Sequence, residues 1–113
     1  MDSNEIEKSK VFVTVKLVEY VPNSIASNTI TRKTTGIINV SAFDSGMEMA
    51  ENISPFDTFI QIIEGSSEIR IDGILNVLTN GQCIIIPAHS RNTIKATARL
   101  KMISTTIKSG YED

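Results

Sequence analysis

Tryptophan is absent from this chain of 113 residues, and cysteine and histidine each occur once. A single cysteine, Cys83, excludes an intramolecular disulfide and the zinc sites that are built from paired cysteines. Its place inside the apolar stretch 82–87 predicts a buried thiol that packs as a small hydrophobe. The alternative, a nucleophilic thiol, would need a nearby base, for which His89 is the one histidine available.

Long apolar runs and an excess of positive charge are missing too. The apolar run at 84–88 is far shorter than the roughly 20 residues that a membrane-spanning helix needs. The formal net charge is −2 and the basic residues are dispersed, so we expect neither a membrane nor a nucleic acid as a partner. The first ten residues mix acids with lysines and lack the apolar stretch of a secretion signal, which favours a cytoplasmic protein.

What the chain does contain is the composition of a globular domain, with 41% hydrophobic and 21% charged residues. A chain of this length leaves too few residues for two independent cores. We therefore expect one domain over 11–108, preceded by a flexible segment at 1–10 and followed by a polar tail at 109–113.

Period-two alternation and short β-branched runs dominate the hydrophobic pattern, which indicates an all-β sandwich or barrel. The pair Asp72-Gly73 predicts a tight hairpin, because both central residues of a type I′ turn need positive φ. Three consecutive isoleucines in 82–87 predict a strand covered on both faces. The predicted strands are 34–43, 47–53, 57–64, 68–71, 74–78, 82–87, 93–98 and 100–107.

The N-terminal third of the chain is less regular. Alternating apolar residues over 11–17 predict a strand, and the apolar residues within 17–20 predict one short helical turn after it. The segment 23–27 follows a proline and has the composition of a loop.

Two stretches of the chain have glycines and a proline at a characteristic spacing. Gly46 and Gly65 bound the first stretch, and Gly81, five residues and Pro87 begin the second. This spacing resembles the two motifs of the cupin superfamily, the first of which reads glycine, five residues, His-x-His, three or four residues, glutamate, six residues, glycine. The sequences SPFDTFIQIIEGSSEIRIDG and GQCIIIPAHSRNTIKA are similar to small single-domain cupins. The resemblance covers most of the chain and implies a double-stranded β-helix, or jelly roll, with a cavity between two sheets and commonly a homodimer.

The resemblance also locates the positions at which the family binds a metal through three histidines and a glutamate. In this chain those positions hold Asn52, Ser54, Thr58 and Asn92. Divalent transition metals are held by imidazole, carboxylate or thiolate, and neutral oxygens contribute little without such partners. His89, three residues before Asn92, cannot hold a metal alone. We therefore expect no metal and no cofactor.

The same four residues are candidates for binding a small molecule. Strand alternation would point Asn52, Ser54 and Thr58 toward one face, where they form a neutral polar lining together with Asn92. His89 either leans over the mouth of this cavity or is an exposed loop residue. In the alternative interpretation, the lining groups bond one another or trapped water in a vestigial cavity.

Our leading hypothesis from the sequence is a metal-independent, homodimeric cupin that serves as a small-molecule binding or interaction module without catalysis of its own. The alternative is a metal-free isomerase or epimerase with a small, sugar-like substrate. Such an enzyme needs a histidine base with a tyrosine or carboxylate partner inside the barrel. His89 is the only imidazole, and Tyr20 and Tyr111 both lie near the ends of the chain, so this machinery is incomplete.

Overall fold

The computed structural model describes residues 5–108 of the chain. The polar tail predicted at 109–113 and the first four residues of the segment predicted at 1–10 lie outside that range. Two antiparallel sheets, of five and four strands, face each other. They form the all-β jelly roll predicted from the sequence. No helix within 5–108 is long and apolar enough to span a membrane.

One 3₁₀ turn, Thr14–Lys16, precedes the strands and confirms the short N-terminal helical turn. The first sheet has the order β1-β2-β9-β4-β7 and the second the order β3-β8-β5-β6. The strands of the described chain are β1 (Ile25–Lys33), β2 (Gly36–Phe43), β3 (Asn52–Ile53), β4 (Asp57–Glu64), β5 (Ser66–Ile71), β6 (Ile74–Thr79), β7 (Cys83–Ile86), β8 (Arg91–Ala96) and β9 (Leu100–Ile107).

The β5–β6 hairpin forms where the sequence predicts it. Ile71 pairs with Ile74, and the two residues between them have φ values of 50° at Asp72 and 82° at Gly73. Both values are positive, as a type I′ turn requires, because its twist matches that of the flanking strands. The turn therefore sets the register of the whole hairpin.

Between the sheets, the packing changes from apolar to polar along the strands. Phe43 and Leu100 are directly paired, fully buried and part of the main core. Two and four residues away from Phe43 along β2, the inward positions hold Ser41 and Asn39 instead, because side chains alternate between faces. One end of the interior is thus a packed hydrophobic core, and the other end has a polar wall.

The N-terminal segment covers the outer face of the five-stranded sheet. Val18 is buried there against Val40 and Ala42. The Tyr20 hydroxyl donates a 2.6 Å hydrogen bond to Glu64, and Lys101 Nζ lies 4.9 Å from the centre of the Tyr20 ring. These contacts hold the segment against the sheet.

The strand predicted over 11–17 is wrong. Apart from the turn at Thr14–Lys16 this segment has no regular structure, and Val11 is fully exposed. The helical turn lies within 11–17 rather than after it. Tertiary packing explains the difference, because Leu17 and Val18 bury themselves on a sheet face instead of pairing with a strand edge.

Two further expectations for the strands need correction. The loop predicted at 23–27 overlaps β1, which pairs with β2 from Ile25 opposite Phe43 onward. The strand predicted at 47–53 is reduced to Asn52–Ile53 and an isolated bridge between Glu48 and Lys95. In both segments, pairing with a neighbouring strand decides the structure more than composition does.

The isoleucine strand β7 is not covered on both faces. It is the edge strand of its sheet, and alternation turns Cys83 and Ile85 outward, where Ile85 is 60% exposed. The prediction of a buried Cys83 is therefore wrong, since its side chain is exposed. The other two isoleucines pack against the main core or belong to it.

Candidate functional site

A cavity of about 260 Å³ lies between the two sheets at the polar end of the interior. Nine of the fifteen lining side chains carry a hydroxyl or an amide, six are apolar and none is ionisable. The lining consists of Ser27, Asn39, Ser41, Met49, Asn52, Ser54, Phe56, Thr58, Ile60, Ile86, Asn92, Ile94, Met102, Ser104 and Thr106.

Asn52 and Asn92 form the polar part of the wall that the four-stranded sheet contributes. They pair directly across β3 and β8, and the Asn92 side-chain amide donates to the Asn52 carbonyl oxygen at 3.1 Å. Asn92 is buried, whereas Asn52 is exposed and marks a place where the cavity meets solvent. The Asn92 side-chain oxygen has no hydrogen-bonding partner within residues 5–108 and can accept one from a ligand.

Asn39 and Ser104 lie at the centre of the opposite wall. They are directly paired across β2 and β9 in the five-stranded sheet. Neither side chain has a hydrogen-bonding partner among the described residues. The strand ladder therefore presents an amide and a hydroxyl side by side, both open to the cavity.

Two closed hydroxyl pairs flank this open pair. Ser27 and Ser41 are 2.9 Å apart at their Oγ atoms, and Thr58 and Thr106 are 3.3 Å apart at their Oγ1 atoms. Within each pair, one hydroxyl donates to the other, so each pair has less hydrogen-bonding capacity left for a ligand. On this wall, the groups with most capacity for a ligand are consequently Asn39 and Ser104.

The structure brings four of the five predicted site residues together. Asn52, Ser54, Thr58 and Asn92 all line the cavity. Ser54 Oγ accepts a hydrogen bond from the backbone N–H of Phe56 at 3.1 Å, which fixes the loop before β4.

His89, the fifth predicted residue, is not part of this lining. It is exposed on the loop between β7 and β8, and its φ is 68°. Its backbone N–H donates to the Ser54 carbonyl oxygen at 2.7 Å, so its backbone supports the wall from outside.

Sequence reasoning found Thr58 but missed the other five polar residues of the five-stranded wall, which are Ser27, Asn39, Ser41, Ser104 and Thr106. A signal for two of them is present in β2. Alternation places Asn39 and Ser41 on the same face as Phe43, the bulkiest apolar residue of that strand. Assigning the Phe43 face to the interior would have directed both polar residues inward.

The donor set at the family's metal positions does not fit a transition metal. It consists of two amides and two hydroxyls, all neutral, with no imidazole, carboxylate or thiolate among the lining side chains. Within residues 5–108, no three His, Cys, Asp or Glu side chains form a group that could hold a metal ion.

Tyr20, the tyrosine of the described chain that could partner a histidine base, lies on the other side of the sheet. Tyr20 packs with Val40 and Ala42, which alternate with cavity residues along β2. Burial, together with the hydrogen bond to Glu64, raises the pKa of Tyr20 well above its ordinary value, so it stays protonated. The other tyrosine considered, Tyr111, lies outside the described residues.

No protein-family model matches the chain, and neither does any curated protein. Solved structures do match. A conserved Streptococcus pyogenes protein of unknown function is 28% identical, with a TM-score of 0.87 over 93% of this chain and 92% of that one. A cupin superfamily protein from Desulfitobacterium hafniense is 22% identical, with a TM-score of 0.84 over 95% and 97%. An RmlC-like cupin from Desulfovibrio desulfuricans is 17% identical, with a TM-score of 0.78 over 88% and 96%.

These likenesses agree with the two-sheet architecture and with the motif spacing in the sequence. The chain is a small cupin-fold domain of the RmlC-like jelly-roll type. Neutral side chains stand at the four positions that correspond to the metal ligands of the cupin motifs.

Proposed function

We propose that this cupin-fold protein binds a small molecule in the cavity, without a metal and without catalysis of its own. The observation that carries the proposal is a lining with open hydrogen-bonding groups and no ionisable side chain. General acid–base catalysis needs a titratable group within reach of the reacting atoms, and this wall offers none. Binding needs only apolar contact and a few convergent polar groups.

The open pair Asn39 and Ser104 favours a binding site over a vestigial cavity whose polar groups bond one another. In such a cavity this pair would be closed, as Ser27 and Ser41 are. Asn39 and Ser104 stand side by side and yet have no bond within the described residues. A ligand that supplies both a donor and an acceptor would satisfy them.

The proposal is tested with a ligand-observed NMR screen of the purified protein. The probes are small uncharged alcohols, diols and amides, chosen for a cavity of about 260 Å³. Ser104→Leu places extra hydrocarbon in the cavity, and Asn39→Leu replaces the amide with methyl groups of similar size, so each should abolish binding. Thr105→Leu, on the outer face of the same strand, is the matched control and should retain it. Circular dichroism verifies that each variant is folded.

Two results would defeat the proposal. Equal binding to Ser104→Leu, Asn39→Leu and the wild type would place the fragments outside the cavity. Chemical conversion of a bound fragment, such as inversion at one carbon in the same spectra, would contradict the absence of catalysis and support the isomerase alternative.

The same proposal includes a homodimer. Phe59 and Ile85 are directly paired across β4 and β7, and they expose 38% and 60% of their surfaces on the outer face of the sheet. Sedimentation equilibrium should find a dimer that Ile85→Lys weakens and that Ile53→Lys, on the other sheet, leaves intact. A wild-type protein that is entirely monomeric would refute the homodimer.

The proposal also includes a cytoplasmic location. The exposed, unpaired thiol of Cys83 suits a reducing compartment and supports this location.

A further inference from the structure

The five-stranded wall becomes more apolar across the strands. On β2 the lining consists of Asn39 and Ser41, whereas on β4 and β7 it consists of Thr58, Ile60 and Ile86. The Thr58 hydroxyl is already paired with that of Thr106, so hydrocarbon is the main surface that β4 and β7 offer to a ligand. The central strand β9 joins the two halves, since Ser104 pairs with Asn39 on one side and with Ile60 on the other. A ligand on this wall therefore meets an amide and a hydroxyl at one end and branched hydrocarbon at the other.

The apolar half is deeply buried. Ile60 is 1% exposed and Ile86 is 5% exposed, so a ligand group placed against them leaves water. On the facing wall, Ile94 is also buried and lines the cavity. Hydrocarbon gains free energy in such surroundings, roughly in proportion to the apolar area removed from water.

Charge is unfavourable in the enclosed part of this cavity, away from the exposed Asn52. A carboxylate or ammonium group entering it would lose its hydration and find no opposite charge among the lining side chains. An unpaired charge moved into a low-dielectric interior is strongly destabilised, whereas an amide or hydroxyl needs only hydrogen-bonding partners. Asn39 and Ser104 supply those partners to a neutral group.

We infer that the ligand is an uncharged, amphipathic small molecule that places a hydroxyl or amide group at Asn39 and Ser104 and a hydrocarbon portion against Ile60 and Ile86. The inference rests on the proposed function and narrows it to one chemical class. Carboxylates, phosphates and amines of the same size are excluded by the missing counter-charge. A cavity of about 260 Å³ suits a small molecule of this class.

Two isosteric pairs of probes test the inference. Benzamide and benzoate differ in the charge of one group, and so do benzyl alcohol and benzylammonium. Dissociation constants are measured at pH 7 from the NMR shifts of the Asn39 and Asn92 side-chain amide groups, which report on the cavity itself. In each pair the neutral member should bind at least about tenfold more tightly than the charged member.

An isosteric substitution should reverse one of the two preferences. Asn39→Asp introduces a carboxylate without changing the size of the side chain, so it should favour benzylammonium over benzyl alcohol. Asn80→Asp makes the same change in net charge in the turn between β6 and β7, outside the lining, and should keep the wild-type preference. A reversal in both variants would assign the effect to overall charge and overturn the inference.

The remaining outcomes separate the inference from the proposed function. Equal or tighter binding of benzoate or benzylammonium at the wild-type Asn39 and Asn92 signals would overturn the inference and leave a small-molecule site in place. If none of the four probes moves these signals at millimolar concentration, while the variants remain folded, both the inference and the proposed function fail.

Discussion

The carbonyl oxygen of Arg99 occupies the space that a side chain at Gly65 would need. Gly65 also has a φ of +89°, a conformation that L side chains rarely adopt. Gly46, at the other end of the first motif, has a similar φ of +82° but no heavy atom within 4 Å of its missing Cβ. The two motif glycines are therefore required for different physical reasons, one by strain and close contact, the other by strain alone.

Alanine at these two positions should have unequal effects. Gly46→Ala should lower the free energy of unfolding by about 1–2 kcal/mol, the cost of a left-handed conformation. Gly65→Ala adds a backbone clash that no side-chain movement can relieve, and should lower it by more than about 4 kcal/mol or prevent folding. Urea denaturation followed by circular dichroism measures both. Equal losses would show that the contact with Arg99 has no energetic consequence.

Ser67 and Ser90 are both buried, but only one has a partner. The Ser90 hydroxyl donates a 2.6 Å hydrogen bond to the Pro87 carbonyl oxygen, while Ser67 Oγ has no partner within residues 5–108. We expect Ser67→Ala to stabilise the protein by up to about 1 kcal/mol, because an unsatisfied buried hydroxyl is removed. Ser90→Ala should destabilise it by about 1 kcal/mol. The opposite signs are checked by thermal and urea denaturation, and a loss at Ser67 would reveal an unrecognised partner.

Asp44 joins the start of β1 to the turn before β9. Its carboxylate accepts the backbone N–H of Asn23 at 2.8 Å and the Arg99 Nε–H at 3.1 Å. These two bonds hold the pKa of Asp44 below its usual range. The bond from Asn23 lowers the pKa the most, and the bond from Arg99 comes second. The stabilisation is therefore present above the unfolded-state pKa, which lies near about 4, and is lost as the pH falls further through the folded-state value.

Replacing this carboxylate should flatten the acid side of the stability profile. Between pH 6 and pH 3, the urea midpoint of Asp44→Asn should fall less than that of the wild type. Glu51→Gln is the control, because the ion pair between Glu51 and Arg91 is exposed on both sides and should contribute little. Parallel profiles for the wild type and Asp44→Asn would contradict the assignment.

The sequence predicts those parts of the fold that depend on local chemistry. The Asp72-Gly73 hairpin follows from the φ requirements of its turn, and Pro87 marks the end of β7 within one residue. The matched glycine and proline spacing places Asn52 and Asn92 at one site, and the structure pairs them directly.

The parts that could not be predicted depend on contacts between distant segments. Val18 is buried because it packs against the apolar outer face of β2. The residues next to Val18 in the sequence do not predict this contact, because β2 is distant along the chain. Cys83 lies among apolar neighbours, yet the edge position of β7 leaves it exposed. Asn39 was missed because polar residues in a strand normally face water. Only the inward direction of Phe43 shows which residues of β2 face the interior, and Asn39 is one of them.

The most direct test of a neutral, metal-independent binding cavity follows the side-chain amide signals of Asn52 and Asn92 by NMR during two titrations. Benzamide should shift both signals progressively, because these groups line the cavity. Zn²⁺ at an equimolar ratio should leave both unchanged, since amide and hydroxyl groups alone do not hold it. Stoichiometric movement of these signals with Zn²⁺, and none with benzamide, would contradict the account.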